Sequence, residues 1–345
     1  QRYSAVWTGD NASNWKHLRM ALPCSLNLGL SGVAFNGPDV GGFMDDASVE
    51  LLVRWHQAGC LFPFFRNHAS RNSRLQEPWQ FGLEALAAIR GAIRTRYRLL
   101  PYLYQCFFAH WLTGDPLIRP LLYHYAGPEY ADLDDQYLVG DALLVAPILH
   151  GEGLGPEIIR RGVKMQERSI LLPPGGWFDL NRGEWLNGGR AVHYAAALDE
   201  LPLFVRDGAV VPYYAGPLHN SFMDLSAVEL HLFCRERAAH CDYCLDDRET
   251  PRYQRGDYGI ARMVAEIDDD RLRVDITESG DYPRDTVRFT PVVYGRSELR
   301  KLALTVNGRT EHRRLQAGQR EWLCRELTTL TPSPSPASGR GASVG

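Results

Sequence analysis

The sequence predicts an α/β region followed by an all-β region, and three observations carry that division. Over residues 1–115, short apolar runs alternate with helical patterns. From about residue 117, short β-rich runs alternate with turn signals roughly every ten residues, the texture of antiparallel β domains. Past Thr331 the chain becomes Thr-Pro-Ser-Pro-Ser-Pro, a composition that cannot bury a core.

In the first region one apolar run ends at Trp7, a second is Gly32–Asn36 and a third is Leu61–Arg66. Trp15, Leu18, Leu22 and Leu26 recur at helical spacing between the first two. Leu51, Leu52 and Trp55 do so between the next two, with Asp46 or Ser48 as N-cap. A longer pattern then places Leu86, Ile89, Ile93, Tyr97 and Leu100 on one face, and Pro101 kinks or ends it. Strand-helix alternation of this kind gives parallel β/α units.

The β-rich runs include Ala142–Leu149, Ser169–Leu172, Leu201–Val205, Ala209–Val211 and Val228–Phe233. Turns are marked by Pro173–Gly176, Asp207-Gly208 and Asn307-Gly308. The pattern reads as two antiparallel β-sandwich modules that divide near Ala215-Gly216-Pro217. The expected domains are therefore 1–115, 116–215 and 216–327, with a low-complexity tail over 328–345.

A formal net charge of −3 argues against nucleic acid as a partner, since that would call for a basic stripe. No stretch reaches the roughly 18 uninterrupted apolar residues of a membrane span. The seven cysteines are odd in number and scattered, which reads as buried thiols rather than a disulfide framework.

Each of the three apolar runs delivers polar residues at its end. Thr8-Gly9-Asp10-Asn11 follow the first, Gly37-Pro38-Asp39-Val40-Gly41-Gly42-Phe43 the second, and Arg66-Asn67-His68 the third. In a β/α barrel the C-terminal ends of the strands form the active-site face. Carboxylates, an Arg-His pair and aromatic rings converging there suit a sugar, whose ring stacks on aromatics and whose hydroxyls take charged partners. The plainer reading is that these are turn residues, with Asp10 simply capping the next helix.

Trp7-Thr8-Gly9-Asp10-Asn11 resembles the acid/base motif of glycoside hydrolase family 31, H-W-x-G-D-N. Asn36–Phe43 and Phe64–His68 resemble that family's next two barrel-strand motifs, in its order and near its spacing. Arg96–Tyr102 is similar to its last barrel helix, and Leu245–Thr250 to its D-D-G-E-T turn, with Arg248 in place of the glycine. The resemblance implies the C-terminal part of a (β/α)8 barrel followed by two antiparallel β-sandwich domains. It implies a retaining α-glycosidase, α-glucosidase-like, acting on terminal α-linked sugars with no cofactor. Asp10 would be the general acid/base, and Trp7, Asp39, Phe43, Arg66 and His68 would line the subsite of the non-reducing sugar. Val6 stands where the family has His, and Pro38 where it has Ala.

A retaining glycosidase needs two carboxyl groups roughly 5 Å apart. The family's nucleophile lies in a W-x-D-M-N-E segment on an earlier strand, and no such segment occurs here. Asp39, Asp45 and Asp46 lack its context. The expectation is a chain without the nucleophile half, inactive alone, its three strands unable to close a barrel. The alternative is a non-catalytic remnant or sugar-binding pseudoenzyme. A zinc module built on His231, Cys234, His240, Cys241 and Cys244 is a third reading, weakened by the missing second Cys pair.

Overall fold

The computed structural model describes residues 4–151, 153–218, 226–282, 287–295, 299–314 and 322–323. Cys324 and the low-complexity tail lie outside the described residues.

The α/β region opens with β1 (Val6–Trp7), α1 (Trp15–Leu30), β2 (Asn36–Gly37), β3 (Asp39–Val40), α2 (Val49–Gly59) and β4 (Arg66–Asn67). β1 pairs with β2 and β3 with β4, both parallel. The run 36–40 is thus split in two at Pro38, which has no N–H to give a ladder. α1 buries Leu18, Leu22 and Leu26, and Asn14 caps it by accepting the His17 N–H at 2.9 Å. Of the two candidate caps for α2, Ser48 is used: its hydroxyl accepts the Leu51 N–H at 3.3 Å.

α2 is buried on every side from Leu51 to Gly59, although it carries Arg54 and His56. Arg54 is tolerated because its guanidinium donates to the carbonyls of Ala196, Ala197 and Glu200 and to Gln57. Burial still pulls its pKa down to about 10. His56 donates from Nδ1 to the Leu52 carbonyl at 2.8 Å, and burial holds its imidazole pKa down at about 4.

α3 (Leu83–Arg98) and α4 (Leu100–Thr113) meet at Leu99, and Pro101 occupies the first turn of α4, where its missing N–H costs nothing. The buried face of α3 is Ala85, Ala88, Ile89 and Ala92, not the expected Leu86, Ile93 and Tyr97, which are half-buried. Alanines let a neighbouring helix approach closely, and α3 packs against α2. The two arginines of the Arg96-Tyr97-Arg98 segment serve as anchors. Arg96 donates to the carbonyls of Cys60, Phe62 and Pro63, just ahead of β4, and Arg98 to those of Tyr214 and Gly216.

The next sheet is antiparallel, built from β5 (Ile118–Arg119), β6 (Tyr137–Val139), β7 (Leu143–Val145), β10 (Gly176–Asp179), β11 (Glu184–Asn187) and β13 (Leu203–Arg206). A second antiparallel sheet holds β8 (Glu157–Arg160), β9 (Val163–Leu172) and β12 (Arg190–Ala196). Leu138, Leu144 and Phe204 from the first sheet share one core with Ile170, Leu172 and Tyr194 from the second.

The last part differs from a second antiparallel sandwich. β14 (Ala209–Tyr214), β15 (Ala227–Cys234), β16 (Ala239–Leu245), β17 (Gly259–Asp268), β18 (Arg271–Gly280), β19 (Arg288–Gly295), β20 (Lys301–Val306), β21 (Arg309–Arg314) and β22 (Trp322–Leu323) form one nine-stranded sheet. Three of its pairings are parallel: β14 with β16, β15 with β19 and β18 with β20. Leu230 and Val293 from one end share a core with Val274 and Leu304 from the other, so the sheet curls onto itself. Apolar alternation marks a strand but not its partner, and these pairings are set by long-range packing. β14 precedes the expected split at 215/216 yet pairs into this sheet. The Asn307-Gly308 turn does join a hairpin, with both residues at positive φ.

α4 ties the three parts together. Tyr102 donates to the Val139 carbonyl at 2.7 Å, Tyr104 to Asp246 at 2.5 Å, and Gln105 accepts the Cys244 N–H at 2.6 Å. Arg248, where the family turn has glycine, sits at φ 56° and donates to the Tyr243 hydroxyl.

The buried imidazole generates a pH dependence. Unfolded, His56 takes up a proton near 6.5; folded, only near 4. Between those values the unfolded chain binds more protons, so stability falls as pH falls from 6.5 toward 4. The shift corresponds to a loss on the order of 3 kcal/mol across that window. Denaturant unfolding of His56→Leu at several pH values should show that component of the slope removed.

Candidate active site

The parallel pairing brings the three polar strand ends side by side. In β1–β2, Val6 lies opposite Asn36 and Trp7 opposite Gly37; in β3–β4, Asp39 lies opposite Arg66 and Val40 opposite Asn67. Gly37 is required by this closeness, because a Cβ there would stand 2.0 Å from the Phe64 carbonyl oxygen.

Asp39 is 1% exposed, and Arg66 meets it from β4 through a hydrogen-bonded ion pair between Nε and Oδ1. The other oxygen, Oδ2, is buried with no hydrogen-bond partner among the described residues. The Arg66 guanidinium also lies 5.9 Å from the Trp7 ring centre and 5.4 Å from that of Phe64. Phe43 stacks on His68, with ring centres 5.3 Å apart and planes inclined by 27°. Trp7 leaves 48% of its surface open, and His68 is exposed as well.

Five of the residues singled out in the sequence thus fall into two connected groups, Trp7–Arg66–Asp39 and Phe43–His68. Asp10 is exposed, three residues past the end of β1. It does not cap α1, since Asn14 does that four residues later. The plain structural role for Asp10 is therefore filled by another residue.

Two residues of the site escaped the sequence reading. Asn11 is buried and joins the loop after β1 to the loop after β3. Its amide donates to the Asp39 carbonyl at 3.0 Å and its Oδ1 accepts the Phe43 N–H at 2.8 Å. Gln76 is buried and donates to the Gly42 carbonyl at 2.7 Å. Asn11 stood inside a quoted motif, so a signal existed; Gln76 lies in no pattern.

The candidate zinc residues have other surroundings. His231 bonds Tyr294 and Glu229 and stacks on Tyr213 at 3.9 Å. Cys234 and Cys244 are buried, and burial pushes each thiol up to about 12.

The family model for the glycosyl hydrolases family 31 TIM-barrel domain matches residues 1–106, and that for the family 31 C-terminal domain matches residues 114–211. The chain belongs to glycoside hydrolase family 31. This family 31 chain is 42% identical over 272 residues to alpha-glucosidase 2 of Bacillus thermoamyloliquefaciens, an overlap covering 78% of the chain and 32% of that protein. It is 41% identical over 213 residues to neutral alpha-glucosidase C of Mus musculus, covering 61% of the chain and 23% of the mouse protein. It therefore spans a third or less of the length of these relatives. A family 31 dextranase of Flavobacterium johnsoniae complexed with glucose superimposes with a TM-score of 0.75 at 28% identity, over 85% of this chain and 37% of that one. The glucosidase II alpha subunit bound to Glc1Man2 gives 0.77 at 26% identity, over 92% and 35%.

The ion pair carries a stability prediction. Arg66→Met leaves the Asp39 carboxylate buried without its cation, which should cost about 3 kcal/mol. Adding Asp39→Asn to that variant should recover part of the loss, because the orphaned charge is then gone. A double-mutant cycle by denaturant unfolding measures this coupling.

Proposed function

We propose that this chain is the acid/base-bearing part of a retaining α-glycosidase of α-glucosidase type that hydrolyses terminal α-linked sugars. The observation that carries the reading is the position of Asp10: an exposed carboxyl three residues past the C-terminal end of a parallel strand, relieved of helix capping by Asn14. It is followed directly by Asn11, which is hydrogen-bonded to the Asp39 carbonyl and to the Phe43 N–H. The glucosidase names of the relatives and the glucose-bound dextranase support a carbohydrate substrate.

In this reading Asp10 protonates the departing glycosidic oxygen and then takes a proton from the attacking water. The free Oδ2 of Asp39 accepts a sugar hydroxyl, and its charge is held in place by Arg66. His68 presents a second polar contact, braced by Phe43. Trp7 supplies an open aromatic face for the pyranose ring.

The nucleophile is proposed to come from outside these 345 residues. Asp39 is committed to Arg66, and Asp46 accepts the Arg74 N–H at 2.5 Å. Asp45 is exposed at φ 67°, its backbone carbonyl accepting from the Ser13 hydroxyl, and it lacks the nucleophile's sequence context. The purified 345-residue chain should therefore show no turnover of an aryl α-glucoside, and measurable turnover contradicts this assignment.

In the complete enzyme, Asp10→Asn should slow maltose hydrolysis by about 100-fold or more, the usual scale of a lost general acid. An α-glucosyl fluoride, whose leaving group needs little protonation, should lose far less in its first step. Equal losses in kcat/KM, which reports that first step, would remove Asp10 from the acid role.

A further inference from the structure

The Gly42–Phe43 peptide is gripped at both ends by buried side-chain amides. Its carbonyl accepts the Gln76 Nε2–H at 2.7 Å. Its N–H donates to Asn11 Oδ1 at 2.8 Å and shares the Asn11 backbone carbonyl at 2.9 Å. In a trans peptide these two groups point in opposite directions, so the plane is held from both sides.

Asn11 and Gln76 are only 7% and 5% exposed, so water is a poor substitute for either contact. The loop is shaped to admit Gln76 and to pass close to Ser13. A Cβ at Gly41 would stand 1.8 Å from Gln76 Oε1, and one at Gly42 would stand 2.5 Å from the Ser13 backbone. Each clamp also reaches a second strand end. Asn11 donates to the Asp39 carbonyl at 3.0 Å, and the Gln76 carbonyl accepts from the Asn67 amide at 2.6 Å, one residue before His68.

We propose that Asn11 and Gln76 are positioning residues of this site: together they fix the Gly42–Phe43 peptide, and through it the Phe43 ring on His68, relative to Asp10 and Asp39. The inference rests on the sugar-subsite reading for its functional consequence, but the clamp itself is a property of the chain. A peptide free to tilt would let the Phe43 ring leave His68. The subsite wall would then be loose while the reacting carboxyl groups stayed in place.

The clamp is tested on the 345-residue chain by amide hydrogen exchange, read as the rate at Phe43 relative to Trp55 in the core of α2. Gln76→Met and Asn11→Leu keep volume but not hydrogen bonds. Each should raise that ratio about tenfold, the scale of one lost hydrogen bond. An unchanged ratio in both Gln76→Met and Asn11→Leu overturns the clamp, and so does equal loss of protection at Phe43 and Trp55, because the effect is then not local.

In the complete enzyme, Gln76→Met should raise KM for an aryl α-glucoside about tenfold with kcat held within a few-fold, the pattern of lost substrate positioning. An unchanged KM overturns the positioning role. If the clamp responds as expected in exchange but the wild-type complete enzyme turns over no α-glucoside, the functional reading has failed and the clamp stands.

Discussion

Burying a carboxylate is costly, and at Asp39, with 1% of its surface exposed, the Arg66 guanidinium offsets that cost. The pair crosses from β3 to β4 and exists only if those two strands are parallel and in register. It leaves one carboxylate oxygen at the strand ends without a hydrogen-bond partner among the described residues. The same guanidinium lies near Trp7 on β1, so a single side chain links the ends of all three runs. Shifting the β4 register by one residue would turn Arg66 to the other face and strand the charge.

The rest of the molecule keeps that register in place. Arg96 on α3 binds three carbonyls just ahead of β4, which fixes where the strand begins. α2, between β3 and β4, is buried from Leu51 to Gly59 and attached by Arg54 and Gln57 to the carbonyls of Ala196, Ala197, Leu198 and Glu200. α4 then joins the helices to both β parts through Tyr102, Tyr104 and Gln105. The β-rich majority of the chain thus acts on the site mechanically, by holding helices whose anchors set the strand ends.

Local signals in the sequence were legible where one residue decides a conformation. Ser48 caps α2, Pro101 starts α4 and Asn307-Gly308 turns a hairpin. The strand-end motifs were legible because their polar residues interrupt apolar runs. What the sequence hid depends on partners distant in the chain. The parallel pairings of the curled sheet and the alanine face of α3 are decided by what packs against them. Gln76 is ordinary in its local context and acquires a role only because Gly41 leaves room for it beside the Gly42 carbonyl. Asp10 is the converse case: its neighbours suggest a helix cap, and the fold gives that task to Asn14.

The central claim, that Asp10 is the acid/base rather than a binding carboxylate or a nucleophile, is tested most directly by chemical rescue. The complete enzyme carrying Asp10→Ala would be given an activated aryl α-glucoside and sodium azide, and the product's anomeric configuration read by NMR. The account predicts restored turnover with an α-glucosyl azide, since a nucleophile elsewhere still forms the covalent intermediate and azide replaces the water that Asp10 would activate. A β-glucosyl azide, or no rescue at all, would contradict it.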